Sequence, residues 1–181
     1  LIPDPVGLTH YVEPFLGGGA LFAHLAAQRP GLPATLGDIN GELIRLYEMV
    51  RDEPEALIAA CQTLEGPWLA TDKAGRKTMY YALRKKYWMA AVGQEDSALL
   101  YFLMKTGFNG IWQTCVEANG RYGTPVGLAA QKGPFIDADL IRSWSTGLVA
   151  ARLHEGGFLL KPVPPGGCQY CDLPYRDRFT A

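Results

Sequence analysis

Long apolar runs, clustered metal ligands and an excess of either charge are all missing from this 181-residue chain. No apolar stretch approaches the roughly 18 residues that a membrane-spanning helix needs, so no span is expected. No signal-peptide pattern is visible, and the plain expectation is a cytoplasmic protein. The net charge is -1, which argues against a generic polyanion binder but leaves room for a local basic face. Cysteine is sparse. Cys168 and Cys171 make a lone C-x-x-C, with no second pair and no histidine at matching spacing, so no metal site is expected. His10, His24 and His154 sit in no ligand spacing. Disorder is disfavoured too, because 48% of the residues are hydrophobic and can form a sizeable core. Leu1 opens the chain without a methionine and only six residues follow Tyr175, so both ends read as cut.

What is present has the rhythm of an α/β protein. Residues 9–12 read as a strand entering a glycine loop, and residues 20–28 as a helix with Leu21, Phe22, Leu25 and Ala26 on one face. A turn with Pro30, Gly31 and Pro33 leads to a strand at 34–36, after which Asn40 can cap a helix carrying Leu43, Ile44, Tyr47 and Val50. Pro54 suits the first turn of another helix, which Gly66 and Pro67 should end. Helices are expected at 72–92 and 95–105. The glycine- and aromatic-rich stretch 107–127 reads as an irregular hairpin, and a further helix should run from 137 to 153. Strands are expected at 158–160 and 168–171. The sum is a nucleotide-binding sheet interrupted by a mainly helical insertion at about 53–136. Lys73, Arg76, Lys77, Arg84, Lys85 and Lys86 form one basic stretch, either a nucleic-acid face or a solvated helix surface.

Two motifs carry chemistry. In "YVEPFLGGGALF" the glycines let the backbone approach a ligand, yet Ala20 and Leu21 follow Gly19 where a phosphate-gripping loop has lysine and a hydroxyl residue. Gly17 and Gly19 give G-x-G, but Phe22 occupies the third glycine position of a dinucleotide fingerprint. Asp38, nineteen residues after Gly19 at a strand tip, is placed to bond ribose hydroxyls, and Ile39 to pack on an adenine ring. A ribose without a gripped phosphate suggests S-adenosylmethionine. At the other end, "QYCDLPY" puts Asp172, Leu173, Pro174 and Tyr175 at a strand corner. A planar amine attacks a sulfonium methyl poorly because its lone pair is delocalised. The Asp172 carboxylate can accept one amine hydrogen and the Leu173 carbonyl the other, favouring an electron-rich nitrogen. Tyr175 can stack on a base rotated out of its helix.

The ordered set "YVEPFLGGGALF", "LGDINGELIRLY", "YYALRKKY", "FLMKTGFNGIW" and "YCDLPY" resembles the Dam-like DNA adenine-N6 methyltransferases over about residues 10–181. The resemblance implies a Rossmann-like S-adenosylmethionine-dependent methyltransferase sheet with a mainly helical DNA-recognition insertion. It divides the chain into a catalytic part at 1–52 and 137–181 and a recognition part at 53–136. It implies double-stranded DNA as partner and a bacterial or phage source. By match, Pro14, Phe15, Gly17, Gly19, Asp38, Ile39, Phe158 and Asp172 are expected at the cofactor. Asp172, Leu173, Pro174 and Tyr175 are expected at the reacting amine. Lys105, Asn109, Gly110, Ile111, Trp112, Gln113 and Arg121 are expected at DNA.

Departures from the family pattern are informative. Leu173 replaces a proline, which keeps the carbonyl but loosens the peptide. Trp112 and Gln113 follow Ile111 where readers of GATC have tyrosine and arginine, so GATC specificity is not carried over; Gln113 suits adenine better than guanine. Ile111 can wedge between base steps. Gly157 stands where an acid normally faces the cofactor, the 160–167 link is short, and a lysine-containing segment before the first strand is absent. Three readings stay open: an adenine-N6 methyltransferase, a catalytically weakened DNA-binding relative, and an enzyme for another planar amine such as an RNA base or a glutamine amide.

Overall fold

The computed structural model describes residues 7–91, 93, 96–127 and 133–155. Three parallel strands lie in the order β1 (Tyr11–Glu13), β2 (Ala34–Asp38), β5 (Ala151–Glu155). Val12 pairs with Thr35, and Leu36 with Leu153. Parallel strands need crossovers, and helix α1 (Ala20–Gln28) supplies the first, from β1 to β2. Its bounds match the sequence expectation, because Phe22, Leu25 and Ala26 recur on the buried face.

Side-chain caps fix where the other helices start. Asn40 accepts from the Leu43 amide at 3.3 Å to open α2 (Gly41–Asp52), whose Leu43, Ile44, Leu46 and Val50 are buried. Pro54 opens α3 (Pro54–Ala70). Asp72 opens α4 (Lys73–Met89), Asp96 opens α5 (Ser97–Thr106), and Asp137 opens α6 (Ala138–Leu148). Helix α2 packs on α5 and α6, and α3 packs on α5. The core runs from the sheet, where Ala34, Leu36 and Ala151 are buried, into the helical layer. Strands β3 (Thr114–Cys115) and β4 (Arg121–Tyr122) pair as a short antiparallel hairpin after α5.

Two sequence expectations are corrected. Helix α3 does not stop at Gly66 and Pro67 but runs through them to Ala70. An interior proline costs about 3 kcal/mol. Here the extra turn buries Trp68 completely, edge-on to Phe102 at 5.2 Å, with Arg76 over its ring at 5.4 Å. The second correction concerns 137–153: the helix ends at Leu148, and the chain returns to the sheet as β5. Pairing of Ala151 with Ala34 decides this, not local apolar spacing. The expected strands at 158–160 and 168–171 lie outside the described residues. No helix among those described is long and apolar enough to cross a membrane, and no group of their acidic, cysteine and histidine side chains could hold a metal.

Candidate functional site

A cleft of about 800 Å³ opens where the strands end. Ligands bind parallel α/β sheets at this position because the strand-to-helix loops converge there. One end is the glycine loop with Asp38 and Ile39; the other is Gly110, Trp112 and Asn119 of the hairpin segment. Leu43, Tyr47 and Met104 lie between. A separate groove of about 520 Å³ between α1 and α6 contains none of the expected site residues.

The glycine loop is held from below. The Leu16 amide donates to the Gly37 carbonyl at 2.8 Å, and the Tyr47 hydroxyl donates to the Gly17 carbonyl at 3.0 Å. Burial, then the Glu13 and Asp38 carboxylates, push the Tyr47 hydroxyl well above the ordinary phenol range, so it remains a donor. Gly19 sits at φ 62°, and a Cβ there would lie 2.8 Å from the Trp144 ring. Both the conformation and the close approach demand glycine. Phe22, in the place of a third fingerprint glycine, packs between Tyr11 and Trp144, with ring centroids 6.4 and 6.3 Å away.

Asp38 is oriented by two backbone donors. Its Oδ2 accepts from Gly17 N at 2.8 Å and its Oδ1 from Asn40 N at 2.8 Å. Each oxygen keeps a further lone pair for a ligand hydroxyl. Ile39, next to Asp38 in the cleft lining, is 84% exposed; Phe15 of the loop is 85% exposed and Pro14 half-buried. An oriented acid next to an open apolar side chain fits a nucleoside. Of the cations lining the cleft, Arg45 pairs with Glu155 at 3.0 Å and Arg121 is held internally, so the donor set does not favour a phosphate.

The hairpin end is built by side chains reaching in from α4. Tyr80 donates to the Thr124 carbonyl at 2.8 Å, and Trp88 Nε1 to the Tyr122 carbonyl at 2.8 Å. Arg84 donates to the carbonyls of Gly123 and Thr124 at 2.7 and 3.0 Å, its guanidinium lying over the rings of Tyr81 and Trp88. Tyr122 is fully buried, and Trp112 meets it edge-on at 5.1 Å.

The expected DNA residues divide. Asn109, at φ 53°, Gly110, Ile111 and Gln113 are exposed, and Trp112 is half-buried. Lys105 is exposed on the last turn of α5, its Nζ 5.8 Å from the Tyr101 ring centroid. Arg121 departs from the expectation. It is 7% exposed, donates to the carbonyls of Tyr87 and Trp88 at 2.8 and 3.1 Å, and lies 3.8 Å from Glu42. The carbonyl end of α4 carries partial negative charge and attracts a cation, which explains its placement. Arg76 and Arg84 of the basic stretch are likewise engaged, Arg76 with the Trp68 carbonyl at 2.8 Å, while its four lysines are exposed. Phe158, Asp172, Leu173, Pro174 and Tyr175 lie outside the described residues.

Sequence reading missed Tyr47, Trp144, Thr124 and the cleft-lining Glu155. Tyr47 was legible as a core-facing helical residue; nothing in its spacing revealed the target of its hydroxyl.

A parallel sheet with a glycine loop facing an acid at the next strand's end defines a Rossmann-like α/β protein. The chain belongs to the D12 class N6 adenine-specific DNA methyltransferase family, whose model matches residues 1–180. It is 30% identical over 180 residues to the Type II methyltransferase M1.LlaDCHI of Lactococcus lactis subsp. cremoris, an alignment covering 94% of this chain and 58% of the relative. It is 29% identical to a DNA adenine methylase of Haemophilus influenzae, covering 91% of this chain and 54% of that protein. A DNA N-6-adenine-methyltransferase of Escherichia phage P1 is 28% identical, with 91% of this chain and 20% of the phage protein covered. The chain thus spans a little over half the length of the first two of these relatives.

Proposed function

We propose that this chain carries the site of a DNA adenine-N6 methyltransferase that modifies a flipped adenine in duplex DNA at a specific sequence. The observation that carries the reading is the single cleft joining Asp38 and the glycine loop to the hairpin. S-adenosylmethionine fits the first end, and when bound it supplies an electrophilic methyl group. Asp38 would hold the ribose hydroxyls, Ile39 would cover the adenine ring, and the Gly17–Gly19 turn would admit the methionine part.

At the other end Asn109, Gly110, Ile111, Trp112 and Gln113 would face DNA, with Lys105 and the α4 lysines near phosphates. Asp172 and the Leu173 carbonyl would each accept a hydrogen from the target amine. Pro174 would hold the corner, and Tyr175 would stack on the extruded base. The division into a catalytic part at 1–52 and 137–181 and a recognition part at 53–136 follows from this reading. So does a cytoplasmic site of action, where the DNA is.

Leu173 favours one alternative, a relative that binds DNA but transfers slowly. One experiment separates the two. The purified chain is incubated with labelled S-adenosylmethionine and unmethylated duplex DNA, and 6-methyladenine is quantified by mass spectrometry. Product above a no-enzyme control supports the enzyme. Product only in a Leu173→Pro variant supports the weakened relative. Silence from both rejects transfer to DNA by this chain.

A further inference from the structure

Thr124 is completely buried, yet it is polar and lies opposite the segment expected to read DNA. Its hydroxyl donates to the Ile111 carbonyl at 2.8 Å and accepts from the Gln113 amide at 3.1 Å. The Gln113 carbonyl accepts from Gly123 N at 2.7 Å. Both backbone groups of Gln113 are therefore fixed, although its side chain is exposed. The Thr124 carbonyl is itself held by Tyr80 and Arg84 of α4. One residue thus links a rigid helix to the backbone beneath Ile111 and Gln113.

We infer that Thr124 is a specificity-determining positioning residue: its buried hydroxyl fixes the backbone from which Gln113 reads one base. The inference rests on the DNA-directed reading above. A reading amide discriminates only if it cannot shift to suit a wrong base, because the mismatch then leaves its donor or acceptor unpaired. Glutamine pairs with the N6/N7 edge of adenine, so the position read should be adenine. Valine has nearly the shape of threonine but offers neither the hydrogen nor the lone pair. Thr124→Val would leave the Ile111 carbonyl and the Gln113 amide without this tie, whereas Thr124→Ser keeps both bonds.

The test is selection of bound duplexes from a random-sequence pool in the presence of S-adenosylhomocysteine, followed by sequencing. Wild type should enrich a motif in which Gln113→Ala relaxes one adenine position. Thr124→Val should relax that same position on the order of tenfold while its affinity for the pool is retained, and Thr124→Ser should restore the preference. Amide exchange at residues 111–113 should quicken in Thr124→Val and not in Thr124→Ser. A motif unchanged in Thr124→Val overturns the inference. So does a parallel loss of affinity at every position in both Thr124 variants, which marks a purely structural role. Binding without any enriched motif overturns it while leaving methyl transfer to DNA intact. No DNA binding by wild type rejects the functional reading itself, and this inference with it.

Discussion

In the glycine loop, two residues at positive φ set the turn, and Asp38 and Tyr47 each tie Gly17 by one hydrogen bond. In the hairpin, the shape is imposed from outside: Tyr80, Arg84 and Trp88 of α4 hold the carbonyls of residues 122–124. A loop defined by its own backbone tolerates little change in its residues but needs few partners. A hairpin with only two residues in each strand is too short to be stable alone and depends on what grips it. The first end should therefore fail by strain and the second by release.

The largest effect is expected at the loop. Gly19→Val places a β-branched residue at φ 62° against Trp144 and should cost roughly 3–5 kcal/mol, read as a fall in thermal midpoint of about 10 °C. An unchanged midpoint would mean that the loop is not built by strain avoidance. Arg84→Met should cost about 2–3 kcal/mol, lost locally: amide exchange across 107–127 should quicken while the sheet stays protected. Uniform exchange throughout would erase the distinction between the two ends. Trp88→Phe removes one bond to the Tyr122 carbonyl and should cost about 1 kcal/mol in the same segment. Least of all should happen at Cys61. Burial, with help from Asp96 and Glu65, pushes its thiol up to about 12. At pH 8 the reactive thiolate is therefore suppressed, and alkylation mapped by mass spectrometry should mark half-exposed Cys115 before Cys61.

How much of this was legible in the sequence follows the same division. Asn40 announced the start of α2, Pro54 the start of α3, and the glycines with Asp38 one end of the cleft, because caps, turns and φ-limited residues act within a few positions. The end of α6 was not legible. Leu148, Ala150 and Ala151 continue an apolar pattern that a helix would also use, and only pairing with distant Ala34 makes β5. Pro67 misled because its penalty is local while the burial of Trp68 that offsets it is not. Arg84 read as part of a basic face, and Arg121 as a DNA residue by resemblance. Their targets lie 39 and 34 residues away on the backbone, and carbonyls carry no sequence signature. The arginines of the basic stretch are therefore committed to the fold, and its four lysines stay exposed.

The most direct test measures both affinities in two variants: S-adenosylmethionine by calorimetry and duplex DNA by fluorescence anisotropy. Asp38→Ala should weaken cofactor binding on the order of 100-fold, through the loss of two charge-assisted hydrogen bonds, and leave DNA binding within about twofold. Arg84→Met should weaken DNA binding and leave cofactor affinity unchanged. That double separation is what two independently built ends of one cleft predict. Wild-type cofactor affinity in Asp38→Ala, or loss of both ligands in either variant, would contradict it.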